Sequence, residues 1–322
     1  MPSVNRPVNR RQFLRTLLLG AGTAALSPTI DCLLPRLAQA AAPLPFDVYL
    51  TFDDGPTTEK DLSGPTTEVL DLLKAEGIPA SFFVHGRSIN DWEGPILARI
   101  IREGHALGNH LWRQGGNTVL DETKYTILAQ QYFEAEIRIR TILQAADVEA
   151  YERYLSQPHM YRRPGGNNGL TPFLDLKNYR TLEYSKTMRG YLDKLPWLKG
   201  VYDYSGWHAL SGDGIPAIRA HPTTPEEAIR WTLDGGFGYY GVNHYLCTDE
   251  PPRRSLEARD GLVILLHDAA ELCRKALPTI IFRLRALGAT FKALPRPVDE
   301  PNSKTVGIGY APTPDPKGAV CQ

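Results

Sequence analysis

Val48-Tyr49-Leu50-Thr51-Phe52, an apolar and β-branched run, leads into Asp53-Asp54-Gly55-Pro56. Such a run, bounded by Gly-Pro, reads as a buried strand closed by a turn. Two adjacent carboxylates at the end of a buried strand repel each other, so one of them needs a cation, a metal or a proton to remain there. The rest of the chain must therefore give the strand an apolar shell and its end a positive charge. Asp53 to Pro56 taken alone leave an alternative open, a solvated turn whose acids bond only backbone amides.

The segments after this turn restrict the fold further. Thr66 to Glu76 reads as a helix that Thr66 or Thr67 caps, with Val69, Leu70, Leu72 and Leu73 on its apolar face and Gly77 as its stop. Ala80 to Val84 is a second buried strand ending at His85-Gly86, Ile96 to Glu103 a second helix, and His105 to His110 a third strand with its loop. This alternation gives parallel strands joined by right-handed crossovers, and reactive groups then gather at the carboxyl ends of the strands. Asp53, Asp54, His85 and His110 all fall at such ends. Asp121 to Ala146 is a long helix with Phe133, Ile137 and Leu143 spaced for one buried face. His208 to Glu257 reads as loops around a single helical segment, Pro225 to Leu233. Leu262 to Leu266 is the most apolar strand and ends in His267-Asp268; beyond it lie a helix from Leu272 to Leu287 and a strand near Thr290 to Leu294.

The first forty residues are set apart from this pattern. Asn9-Arg10-Arg11-Gln12-Phe13-Leu14-Arg15 resembles a twin-arginine export signal, with an apolar run from Thr16 to Ile30 and a small-residue cleavage site at Ala38-Gln39-Ala40. The apolar run is short and broken by Gly20, Gly22 and Pro28, so no stable membrane span is expected after cleavage, and the mature protein is expected in the periplasm or outside the cell. Beyond position 40 the chain has 31 basic and 35 acidic residues, a net charge of −4 that argues against nucleic acid as a partner. Residues 41–297 suffice for one large α/β domain, and 298–322, rich in Pro and Gly, read as an extended or disordered tail. Cys247, Cys273 and Cys321 lack metal-ligand spacing; a Cys247 to Cys273 disulfide is open.

Two further stretches carry polar chemistry. Arg162-Arg163-Pro164-Gly165-Gly166 puts guanidinium groups beside a Pro-Gly turn whose amides can face an oxygen, although a solvated basic turn has the same residues. Trp207, after Asp203-Tyr204-Ser205-Gly206, suits either a wall for a sugar ring or the core.

In this order, the segments resemble the polysaccharide deacetylase family, the NodB-homology domain of carbohydrate esterases, over roughly Phe46 to Leu294. The resemblance implies an α/β fold, a distorted (β/α) barrel of about seven parallel strands, and hydrolysis of an amide C–N bond in an N-acetylated glycan. It assigns Asp53 as general base and Asp54 as carboxylate ligand of a divalent metal, usually zinc. The family's second motif has two metal-binding histidines four residues apart; here His110 is present and Gln114 stands in the second place, a weaker donor for zinc. Arg162 to Gly166 matches the motif whose Arg holds the base and whose turn amide stabilises an oxyanion, which implicates Pro164, Gly165 and Gly166 at the substrate. Asp203 to Trp207 matches the next motif in part, with Gly206 where the family has a second acid. Leu265-Leu266-His267 matches the last, with Leu265 lining the pocket and His267 as general acid.

These residues admit three readings. The leading one is an exported metal-dependent deacetylase of a polysaccharide or oligosaccharide. The second is a metal-poor relative that binds carbohydrate or is structural, and the third a hydrolase of non-sugar amides. For the missing ligand, His85, His208 or Asp121 are the substitutes within reach of the sequence argument; for both histidines a hydrogen-bonded structural role is the simpler reading. His105 is expected to support the third strand. The oligomeric state is not encoded in any feature of the sequence.

Overall fold

The computed structural model describes residues 45–112, 122–164, 200–204, 206–213, 221–236, 239–246 and 260–301. Strand β1 (Phe46–Gly55) is the centre of the sheet and is buried on both faces. Phe46, Val48, Leu50 and Phe52 pack outward with apolar residues of helices, whereas Tyr49 belongs to an inner cluster with Phe83, Ala106, Met160, Tyr204, Val263 and Leu294. Period-two alternation therefore sends Tyr49, Thr51 and Asp53 up the inside.

On one side of β1 lie β2 (Ser81–Val84), β3 (Ala106–Asn109), β4 (Met160–Tyr161) and β5 (Tyr202–Asp203). On the other lie β9 (Leu262–His267) and β6 (Ala209–Leu210), while β10 (Ala289–Phe291) pairs with the start of β1. All of these pairings are parallel, as the alternation predicts, and the sheet curls into a half-barrel, in keeping with the fold that the resemblance implies. A separate antiparallel pair, β7 (Gly235–Gly236) and β8 (Tyr239–Tyr240), stands apart from it. Leu262, Ile264 and Leu266 of β9 join the outer core, and Val263 the inner one, so His267 belongs to the inner row like Asp53, its register partner.

The outer layer comprises α1 (Pro65–Glu76), α2 (Gly94–Arg102), α3 (Glu122–Ala146), α4 (Val148–Ser156), α5 (Pro225–Asp234), α6 (Val242–Leu246) and α7 (Glu271–Ala286). Helix α1 starts behind Gly64 with no side-chain cap, so neither Thr66 nor Thr67 caps it; the Thr66 hydroxyl is engaged elsewhere. Its other end is closed by Gly77 in the left-handed conformation, as the sequence indicates.

Three expectations change. Phe133 and Ile137 of α3 are 41% and 63% exposed, and the buried face is instead Tyr132, Ala135, Ile139, Ile142 and Leu143, because apolar residues occur on both sides of this helix. The segment after His208 is not loops around one helix, since β6 joins the parallel sheet and β7, β8 and α6 come after α5. The region read as tail begins anchored: Arg296 donates to the Gly261 carbonyl (2.8 Å), and Asp299 accepts from Tyr204 Oη (2.6 Å) and the Arg296 guanidinium. Cys273 is a buried free thiol in α7; Cys247 and Cys321 lie outside the described residues.

Candidate active site

The two acids after β1 would face opposite ways in a regular strand. They do not, because the pairing with β2 shifts between Asp53 and Gly55, and Asp54 adopts φ +72°. This left-handed bulge brings the second carboxylate to the same open end as the first. Leu111, directly after His110, is the other left-handed residue at this end, with φ +64°. Asn109 supports that turn: its Oδ1 accepts from the Leu111 N–H (2.7 Å) and its amide donates to the Tyr132 carbonyl (3.0 Å).

Asp54 Oδ1 stands 3.0 Å from His85 Nε2 and 3.2 Å from His110 Nε2, and the two rings are 4.4 Å apart. His110 Nδ1 lies 2.9 Å from the Arg162 carbonyl, which can only accept, so Nδ1 carries the proton and Nε2 presents its lone pair to the cluster. Both nitrogens of His85 are buried and make no well-aligned hydrogen bond. Burial alone would raise the Asp54 carboxyl, but the adjacent imidazoles of His110 and His85, with a further contribution from His267, hold it far below the usual carboxylate range. One carboxylate and two imidazoles within 4.8 Å of one another fit a divalent metal, and zinc in catalytic sites takes three such ligands and keeps a position open. His85 thus stands where the sequence left a gap. The sequence offered His85 as a substitute ligand but favoured a hydrogen-bonded structural role, for which neither ring nitrogen has a well-aligned partner.

Asp53 belongs to a second group. Arg162, fully buried, donates from Nη1 to Asp53 Oδ1 (2.8 Å) and to Thr51 Oγ1 (2.7 Å), and from Nε to the Tyr204 carbonyl (2.7 Å). Its guanidinium lies over the Phe83 ring at 4.4 Å, against which Gly108 packs so closely that a Cβ there would fall 2.6 Å from the ring. The base candidate is therefore held by a cation that cannot turn away.

His267 belongs to a third. Asp213, a residue no sequence motif pointed to, accepts from His267 Nδ1 (3.0 Å) and from the His267 backbone N–H (2.9 Å). His267 Nε2 faces Asp54 Oδ2 at 3.9 Å. Burial opposes charge on the imidazole, but Asp213 outweighs it and pushes the His267 pKa up to about 9. Asp213 itself, buried, is held below its ordinary value by His267. The acid missing at Gly206 is thus supplied from beyond β6, by a residue 54 positions before His267. Asp213→Asn should return His267 toward its free value near 6.5 and cut turnover at pH 8 by about 30-fold while sparing pH 6, if His267 must be protonated to work. The folding term has the same sign: a raised histidine pKa stabilises below about 6.5, and that contribution disappears as pH rises through 9. A pH profile of kcat/KM for both proteins checks this; an unmoved alkaline limb would refute it.

The other sequence candidates separate. Trp207 is half-buried with its ring 6.0 Å from the Arg162 guanidinium, beside Leu210, Trp231 and buried Leu265. Asp203 accepts from Tyr161 Oη (3.0 Å) across β4 and β5. Pro164 is half-buried. Gln114, Asp121, Gly165 and Gly166 lie outside the described residues. His208 is structural, accepting the Val263 N–H (2.9 Å), with burial lowering its pKa to about 3; His105 accepts the Ala80 N–H (3.0 Å), with burial lowering it to about 4.

Against known proteins, residues 42–179 match the family model described as polysaccharide deacetylase. A chitin deacetylase of Pestalotiopsis sp is 34% identical over 131 residues, 39% of this chain and 41% of that protein. A peptidoglycan-N-acetylglucosamine deacetylase of Bacillus cereus is 37% identical over 79 residues, 24% of this chain and 26% of that protein. The matches thus span less than half the length of these relatives. Among solved structures, a Streptococcus mutans CE4 esterase superposes with a TM-score of 0.50 at 24% identity, over 79% of this chain and 88% of that one, a likeness of fold. Over residues 42–179, the chain is similar to the polysaccharide deacetylase family.

Proposed function

We propose that this protein is an exported, metal-dependent hydrolase that removes N-acetyl groups from a polysaccharide or oligosaccharide. The observation that carries the reading is the conjunction of three groups at one end of the sheet: an arginine-held carboxylate at Asp53, a protonated imidazole at His267, and the Asp54, His85 and His110 cluster. A carbohydrate-binding protein has no use for a base and an acid beside a metal shell. The His85 imidazole beside Asp54 and His110 supports the metal-dependent reading over the metal-poor alternative.

Asp54, His85 and His110 would hold the metal, with zinc the choice their donors favour. Bound there, a divalent cation supplies Lewis acidity, polarising the acetamide carbonyl and lowering the pKa of water. Asp53, fixed by Arg162, takes the proton as water adds to the carbonyl carbon. The turn at Pro164, Gly165 and Gly166 is assigned the oxyanion by resemblance. As the C–N bond breaks, His267 delivers its proton to the departing sugar amine, and Asp213 favours the charged imidazole until then. Trp207 and Leu265 form the apolar wall for the acetyl group, and Asp203 stiffens the strand end through Tyr161. Export rests on Arg10-Arg11 and Ala38-Gln39-Ala40, with 41–297 as the catalytic domain; no described helix is long and apolar enough to cross a membrane.

The test is acetate release by the mature protein from N-acetylated chitooligosaccharides, peptidoglycan fragments and cyclic amides, before and after chelation. Release from glycans that chelation abolishes and zinc restores is expected. Turnover of cyclic amides with none from glycans would transfer the assignment to non-sugar substrates.

A further inference from the structure

Two buried polar groups next to the site have no step in the proposed reaction. Thr66, in the first turn of α1, is 0% exposed; its Oγ1 accepts from the Thr57 N–H (2.6 Å) and donates to Asp268 Oδ2 (2.5 Å). Asp268 is 0% exposed and directly follows His267. Gly55 lies against the same carboxylate, so a Cβ added there would come within 2.6 Å of Asp268 Oδ2. Thr57 comes just after the Asp53-Asp54-Gly55-Pro56 turn, so a single hydroxyl links the segment after the metal ligand to the segment after the acid.

Burying a carboxyl and a hydroxyl costs free energy unless each is bonded to a partner, and α1 forgoes a side-chain cap while Thr66 is engaged here. The turn also has something to restrain. Asp54 at φ +72° is a strained backbone conformation, which persists only where neighbours overdetermine it. Burial pushes the Asp268 carboxyl up to about 6, so above that pH it is the ionised acceptor that the Thr66 hydroxyl serves best.

We propose that Thr66 and Asp268 are positioning residues: together they tie the Asp54 turn to the strand end of His267 and so set the placement of the metal ligand relative to the general acid. The inference rests on the deacetylase reading for its catalytic consequence, but its structural part concerns the metal shell alone.

The experiment compares Thr66→Ala and Thr66→Ser with wild type. Cobalt(II) is titrated into each mature protein and followed by its visible absorption, alongside kcat and KM for acetate release and a thermal melt. Thr66→Ala, a better helix former than Thr, is expected to fold, to weaken cobalt binding about tenfold with altered absorption bands, and to lower kcat more than it raises KM. Thr66→Ser, which restores the hydroxyl, should return both the spectrum and kcat. Should Thr66→Ala fail to fold, Thr66→Val takes its place. Cobalt affinity and spectrum unchanged by loss of the hydroxyl would overturn the proposal. If wild type binds cobalt yet releases no acetate from any N-acetylated glycan, the substrate assignment falls and the cobalt data alone decide the tie.

Discussion

His85→Ala should lower zinc affinity by more than about 100-fold and remove acetate release with it. Loss of an outer partner of a metal ligand commonly costs about 10–100-fold, and loss of a ligand costs more. His85 Nε2 stands 3.0 Å from Asp54 Oδ1 and neither of its ring nitrogens is spent on a well-aligned hydrogen bond, so the substitution subtracts donor capacity and little else. Gln114→Ala is the paired control and should leave most of the metal in place. Metal content after exhaustive dialysis, read by mass spectrometry, decides between them. A His85→Ala protein that keeps its zinc, with a Gln114→Ala protein that loses it, would return the third ligand to position 114.

Asp53→Asn should separate chemistry from metal binding. General-base catalysis contributes about 10²- to 10⁴-fold, so kcat should fall by that order while zinc content stays near that of wild type. The separation is expected because Asp53 is bonded to Arg162 and not counted among the cluster's three donors. An amide oxygen can still accept from Arg162, yet the guanidinium, fully buried, loses its counter-charge, so the melting temperature should drop as well. Equal loss of zinc and of turnover would show that the two neighbouring acids act as one metal-binding unit.

Much of this architecture can be read from the residues, and what escapes has identifiable causes. β1, β2 and β9 are long enough, or apolar enough, for a pattern to show, and their ends place Asp53, Asp54 and His267 correctly. β4 to β8 are two residues each, too short for alternation to register. The twist at Asp54 depends on a bulge that appears only when β2 pairs alongside. Asp213 meets His267 across a separation of 54 residues, with no motif to connect them. The apolar positions of α3 failed for a different reason: Phe133 and Ile137 fit the spacing, but helix α3 has another row, around Tyr132, Ala135 and Ile139, that is the one buried.

Because β2 and β3 end side by side, a donor one residue past either strand arrives at the same place, and the shell is defined by where strands converge more than by how residues are counted along one of them. A chain with a gap four positions after the histidine of its third strand should therefore not be set aside as inert until the first residue past its second strand has been inspected. In this protein the neighbouring strand brings the His85 imidazole to Asp54 and His110, where on the proposed reading it stands in for the ligand missing along the chain.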